Sequence, residues 1–154
     1  MKFILFFSLF LFSISSLAED PLSTFKSQLI GSWKSGCEER SILDDNDWPI
    51  IFYSQSRYIF KPVAEHLELE VIWSRYEDSL CSTLKRRVTD KYQTTIIGQS
   101  SQREGFFQFQ YQKILEDGSI EKNIYEDEMI IRNSEDGLSL YDLVDGDESL
   151  VGSK

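Results

Sequence analysis

The chain has 154 residues and a formal net charge of −10, with 26 acidic side chains against 16 basic ones. An acidic balance of this size argues against nucleic acid and anionic membrane surfaces as partners, because both call for basic patches. The length is that of one domain, long enough to bury a sizeable core.

Lys2 precedes the apolar run Phe3-Ile-Leu-Phe-Phe-Ser-Leu-Phe-Leu-Phe12 and the small-residue stretch Ser13-Ile-Ser-Ser-Leu-Ala18. One cation, an apolar centre and a small-x-small end describe a secretory signal peptide cleaved after Ala18. A membrane anchor is the competing reading. The run is only sixteen residues with four serines, and a spanning helix needs about 20 mainly apolar residues. Residues 1–18 are therefore expected as a signal peptide and residues 19–154 as a single exported domain, periplasmic or secreted. That domain has 136 of the 154 residues, and loss of Lys2 takes the charge from −10 to −11. It is expected as a monomer without stable membrane insertion.

Both cysteines, Cys37 and Cys81, fall in that domain. Two cysteines in an exported domain most often pair, and closing so long a loop is worth about 4 kcal/mol on the chain-entropy model. A reactive pair or half a metal site is the alternative. It lacks a C-x-x-C spacing or a nearby histidine.

In chain order, Pro21 to Leu29 reads as a short helix, with Leu22, Phe25 and Leu29 recurring at three and four and Pro21 suited to a first turn. Gly31 ends that pattern and Trp33 opens strand-like chemistry, in a first strand running through Leu29-Ile-Gly-Ser-Trp-Lys-Ser-Gly-Cys-Glu-Glu-Arg40. Asp44-Asp-Asn-Asp47 is a loop signal. Between Ile50 and Lys61, Phe52, Tyr58 and Phe60 share one parity with Ser54 and Ser56 between them. Leu67, Leu69, Val71 and Trp73 alternate with Glu68, Glu70 and Ser74, the period-2 pattern of a half-buried strand. Tyr92 to Gly98 is rich in β-branched residues. In Phe106-Phe-Gln-Phe-Gln-Tyr-Gln112 one row holds Phe107, Phe109 and Tyr111, and the other holds glutamines. Glu116-Asp-Gly-Ser119 and Asp136-Gly137 mark turns. Ile120 to Ile124, Glu128 to Arg132 and Leu138 to Val144 are read as further short strands, and Asp145 to Lys154 as a frayed tail or one last strand. The fold class is all-β: about eight short antiparallel strands in an up-and-down meander, closed as a barrel, behind one short helix. A two-sheet sandwich is the alternative.

Gly31-Ser-Trp33 after a short amphipathic helix resembles the Gly-x-Trp signature of lipocalins and related calycin barrels. Trp33-Lys-Ser-Gly-Cys37-Glu-Glu-Arg40, then Phe52 and Tyr58-Ile-Phe60, then Tyr76-Glu-Asp-Ser-Leu-Cys81 is similar to the extracellular domain of the adenomatosis-polyposis-coli-down-regulated proteins. Small bacterial lipocalin-like proteins share the layout. The resemblance covers roughly Leu29 to Lys113, with Ser79 standing where the family often has Pro. It implies a lipid-capable barrel in which Gly31 and Trp33 are structural, Trp33 closes one end, and Cys37 pairs with Cys81.

No catalytic constellation emerges. His66 is the only histidine and adjoins Glu65 in a surface-loop setting, and there is no Gly-x-Ser-x-Gly, Cys/His pair or phosphate-cradling glycine loop. The acidic groups Asp44, Asp45, Asn46, Asp47 and Asp142, Asp145, Asp147, Glu148 lack the alternation, glycine and terminal glutamate of a calcium loop. Neither an enzyme, a cofactor nor a metal site is expected.

The inward parities place Phe60, Trp73, Phe107, Phe109 and Tyr111 in the interior, either as plain core or as the lining of an open calyx. Arg75 continues the Trp73 row and Lys113 the Tyr111 row, each near a strand end. A cation at the mouth would pair the head group of a fatty acid; the alternative is that both side chains reach into water. The expected function is binding of a small hydrophobic molecule or lipid, a fatty acid among them, at Phe60, Trp73, Arg75, Phe107, Phe109 and Tyr111. The rival is a protein-binding module or inhibitor with a filled barrel, recognising an exported partner through Ile42–Trp48 and Lys85–Asp90, with Trp48 as the aromatic of an acidic loop.

Overall fold

A computed structural model describes residues 20–144 and 147–154. The expected signal segment lies outside them. Helix α1 spans Pro21–Leu29, followed by nine strand segments: β1 (Gly31–Lys34), β2 (Glu38–Leu43), β3 (Pro49–Val63), β4 (His66–Tyr76), β5 (Leu84–Gln99), β6 (Phe107–Ile114), β7 (Tyr125–Ser134), β8 (Gly137–Val144) and β9 (Asp147–Ser153). Every pairing is antiparallel, each strand from β3 to β8 pairs with the next, and β1 pairs with both β3 and β9. The sheet therefore closes on itself as an up-and-down barrel.

The nine segments occupy eight barrel positions, because β1 and β2 lie end to end along the same partner. Gly31–Lys34 faces Phe60–Arg57, and Glu38–Leu43 faces Ser54–Pro49. The expected continuous first strand is thus interrupted at residues 35–37. Ser35 keeps the break attached to β3: its N–H donates to Ser56 O at 2.9 Å, its Oγ accepts from Ser56 N–H at 2.9 Å, and its carbonyl accepts from Gln55 Nε2 at 3.1 Å. Cys37, in the same break, is bonded to Cys81 with 5.9 Å between Cα atoms. Cys81 has φ of 51° and belongs to a loop organised by Asp78. That carboxylate accepts from the N–H groups of Leu80, Ser82 and Thr83, and the bonds from Ser82 and Thr83 hold its pKa far below the usual carboxylate range.

Two expected segments differ. Residues 121–124 form no strand; Ile120 makes one isolated bridge to Ile114 and the ladder resumes only at Tyr125. The 115–119 turn consumes the local hydrogen bonds instead, with Leu115 N–H donating to Ser119 O at 2.8 Å. Lys85–Asp90 is not a loop but the front of β5, with Val88 paired to Trp73 and Asp90 to Val71. Its basic residues hid an alternation that the neighbouring strand enforces.

One end of the barrel is solid. Phe25 and Leu29 of α1 pack with Trp33, Phe60, Leu69, Ile96, Phe107, Phe109, Met129, Leu140 and Val151. Burial of side chains of this size contributes about 1.5–3 kcal/mol each. Phe25 stacks on Phe107 with ring centroids 4.0 Å apart. Trp33 is 0% exposed and donates from Nε1 to Leu29 O at 2.8 Å, satisfying a carbonyl at the helix C-terminus. Lys154 lies over the Trp33 ring, its Nζ 4.7 Å from the centroid, and donates to the carbonyls of Gln28 and Ile30.

The seam between β1 and β9 rests on close backbone approach at Gly152. A Cβ there would stand 2.7 Å from the Lys34 nitrogen, and backbone on both sides leaves nothing flexible to yield. Gly152→Ala is expected to lower unfolding free energy by roughly 1–3 kcal/mol, read as a fall in the urea midpoint. An unchanged midpoint would show that the seam tolerates a wider gap than the backbone contact implies.

Candidate ligand cavity

Side chains on β3 at even positions point inward, as the apolar–serine alternation required: Phe52, Ser54, Ser56, Tyr58, Phe60. Cross-strand partners share a face, so register carries that assignment around the barrel. Ser56 faces Trp73 and Ser54 faces Arg75 on β4. Phe109 faces Asp127 and Tyr111 faces Tyr125 on β7, and Met129 faces Asp142 on β8. Asp142 in turn faces Ser149 on β9. On β2, Glu38 faces Ser54 and Arg40 faces Phe52.

A side-open cavity of about 340 Å³ lies in the half of the barrel away from α1, lined by the inward Phe52, Ser54, Ser56, Tyr58, Trp73 and Asp142, by the buried Val151 of β9 and, toward solvent, by Glu38, Arg40 and Ile42 of β2 and Ser149 and Leu150 of β9. Its side wall is the gap left by the interrupted first strand. Among the described residues β2 pairs only with β3, and β9 reaches the first strand only at Lys34–Ser153. A wider groove of about 710 Å³ lies at the strand ends beside the 115–119 turn. Of its two lysines, Lys113 is paired with Asp90 at 2.6 Å and Lys91 with Glu68 at 3.8 Å, and the groove lies outside the ring of aromatic inward residues.

The aromatic wall is ordered. The edges of Phe52 and Trp73 meet at 6.2 Å between centroids and 78° between planes, and the Arg75 guanidinium lies 4.3 Å above the Phe52 ring. Farther round, Tyr111 stacks on Tyr125 at 5.5 Å and meets Tyr92 edge-on at 5.6 Å.

The polar inventory is mainly acidic. Burial raises the pKa of Asp142, and its Oδ1 is shut off from solvent without a hydrogen-bond partner. Burial likewise pushes Asp127 up to about 6, reinforced by Asp142 and Glu128 and opposed by the Glu128 N–H it accepts. Tyr58 is raised first by burial and next by Asp142; Tyr111 first by burial and next by Asp127. Two carboxylates on neighbouring strands thus look into one partly dry interior. No ion pair to either occurs among the described residues.

The residues anticipated from the sequence divide between two regions. Phe60, Phe107 and Phe109 sit in the packed end, buried against α1 and its neighbours. Trp73 lines the cavity. Arg75 points inward, as its parity implied, but rests on Phe52 with Nε buried and unpartnered. Tyr111 belongs to the tyrosine cluster, and Lys113 to an ion pair. Gly31, with φ of 125°, carries the chain from helix to strand, and Trp33 closes the solid end. Phe52 and Tyr58 were legible as one inward row. Asp127 and Asp142 were not singled out as interior groups, although each lies two residues from an inward apolar residue, Met129 or Leu140. An acidic residue in such a row reads first as a strand end.

No family model matches the chain, and no curated protein or solved structure matches it.

A carboxyl whose folded-state pKa lies above its ordinary value of 3.8 weakens the fold when ionised. The associated stability is fully present below that value and is lost as pH rises through about 6. Asp127→Asn keeps the acceptor for Glu128 N–H and removes the charge. It is expected to raise unfolding free energy at pH 7.5 by about 1–2 kcal/mol, after discounting for partial exposure, and to have no effect near pH 3.5. Urea titrations at both pH values measure this; equal gains at both would mean that charge is not the cause.

Proposed function

We propose that the protein is an exported, lipocalin-like carrier that binds one small, largely apolar molecule inside the barrel and performs no catalysis. The observation that carries the reading is the interior cavity of about 340 Å³, walled by Phe52, Tyr58 and Trp73, beside a core that is otherwise tightly packed. A volume in the few-hundred Å³ range with aromatic walls and a few polar groups is what small-molecule sites present. Export is supported by the Cys37–Cys81 bond, which persists in oxidising compartments, and by the signal-like first 18 residues. The Gly31-Ser-Trp33 start, with its tryptophan closing the solid end, supports kinship with lipocalins.

A second reading has its own observation. The β2–β3 hairpin projects apolar side chains at its tip: Trp48 is 71% exposed, Leu43 66% and Ile51 59%. The turn is held by Asp44, whose carboxylate accepts from Asn46 and Trp48 N–H at 2.8 and 2.9 Å and titrates below its ordinary value for that reason. An exposed tryptophan on a rigid turn is the type of residue that anchors protein interfaces.

The two readings separate experimentally. Titration with an apolar aromatic probe is expected to change the emission of Trp73, and Ser54→Leu, which fills the cavity from β3, should weaken binding at least about tenfold while the thermal midpoint is retained. Unchanged affinity in that variant would defeat the cavity reading. Crosslinking to a defined exported protein that is abolished by Trp48→Ala would establish the hairpin reading.

A further inference from the structure

The chemical class of the ligand can be narrowed from the polar groups of the cavity, on the premise that the cavity is the binding site. Its walls include three aromatic rings, Phe52, Tyr58 and Trp73, the hydroxyls of Ser54, Ser56 and Ser149, and the carboxyl of Asp142. Oδ1 of Asp142 is shut away from solvent and accepts no hydrogen bond from another residue, its own backbone N–H alone opposing the effect of burial on the carboxyl, although buried carboxylate oxygens are normally satisfied. Two cations on the inward faces lie outside the cavity wall: Arg75, whose buried Nε has no partner, and Arg86, which faces it from β5. On β2, Arg40 is paired with Glu38. On β4, Arg75 is stacked on Phe52 and is not part of the cavity wall. On β5 and β6, Asp90 and Lys113 neutralise one another. On β7, Asp127 adds a second carboxylate on the same face, two residues from the partner of Asp142. Tyr58 and Tyr111 are the remaining polar groups felt by the two acids.

We infer that the buried end of the ligand is a hydrogen-bond-donating cation, a primary or secondary amine on an aromatic or aliphatic body, seated against Asp142 between Phe52, Tyr58 and Trp73. An ammonium supplies the Asp142 carboxyl with a charged donor that none of its neighbours provides, and electron-rich ring faces favour a cation beside them. A carboxylate head group, the expectation from Arg75 alone, would instead be forced next to Asp142, with Asp127 on the neighbouring strand outside the cavity wall and Arg40 paired with Glu38. Like charges in a partly dry site repel strongly. The apolar body has room in the remaining volume, toward Val151 and the gap between β2 and β9.

Three probes with the same phenyl body test this by isothermal titration calorimetry on the full purified chain at pH 7.5: 2-phenylethylamine, 2-phenylethanol and 3-phenylpropionate. The amine is expected to bind at least about tenfold more tightly than the acid, with the alcohol between them. Asp142→Asn should collapse the amine-over-acid preference, and Asp142→Ser tests the same atom a second way. If the acid binds best, or if the amine preference survives both substitutions, the inference is overturned while the cavity reading stands. If none of the three binds, the cavity reading fails and the inference with it.

Discussion

The barrel depends on how its short first strand is shared. Gly31–Lys34 is only four residues long, yet it pairs with β3 on one side and touches β9 on the other, and through it the sheet closes. Closure needs two backbones to come within reach at Gly152 and Lys34, and a buried tryptophan to hold the helix end above them. Removing free edges in this way protects a strand-rich protein from edge-to-edge pairing. Beyond Lys34 the strand leaves the seam, turns at residues 35–37 and continues as β2 against β3 alone. The Cys37–Cys81 bond ties that departure point to the β4–β5 loop.

The interruption has a chemical consequence. Where β1 closes the ring, the interior is filled by aromatic and aliphatic side chains buried against one another. Where β2 diverges from β9, the interior widens into the cavity, and serines, Tyr58 and Asp142 occupy inward positions that would otherwise have to be apolar. Interior polarity costs stability, as the raised pKa values of Asp127 and Asp142 record. A fold under no functional constraint would be more stable with apolar groups there. The excess acidity of the open half, set against the rings of Phe52, Tyr58 and Trp73, is the feature that most sharply restricts what the barrel can hold.

Much of this architecture was legible in the chain. The helix at Pro21–Leu29, the all-β meander and the inward rows of β3, β4 and β6 follow from periodicity. Arg75 was placed on the inward face by counting in steps of two, and the structure finds it there, stacked on Phe52. The errors have common causes. Residues 121–124 have strand-like composition but lack a partner, because the preceding turn delays the chain. Lys85–Asp90 looks like a charged loop, yet it is strand because Trp73 and Val71 lie opposite. Phe107 and Phe109, which periodicity left open as plain core or cavity lining, meet Phe25 of α1, a long-range contact that no local pattern could reveal.

The sequence alone determined everything that depends on neighbours along the chain. Side-chain direction in a strand has a period of two, so inward and outward sets could be written down before any strand was paired. The amphipathic turns of α1, the Asp-Gly turn positions and the pair of cysteines belong to the same class. Only the tertiary structure decided which inward residues pack and which surround space, because that depends on where the ring closes and on the relative stagger of strands that pair at long range. The positions of Phe60 and Phe52 on the same face of the same strand are equivalent by periodicity; eight residues of stagger place one in the solid core and the other at the cavity wall. For the same reason Asp142 could be read as a surface acid until its strand was set between β7 and β9, where the barrel's closure turned it inward.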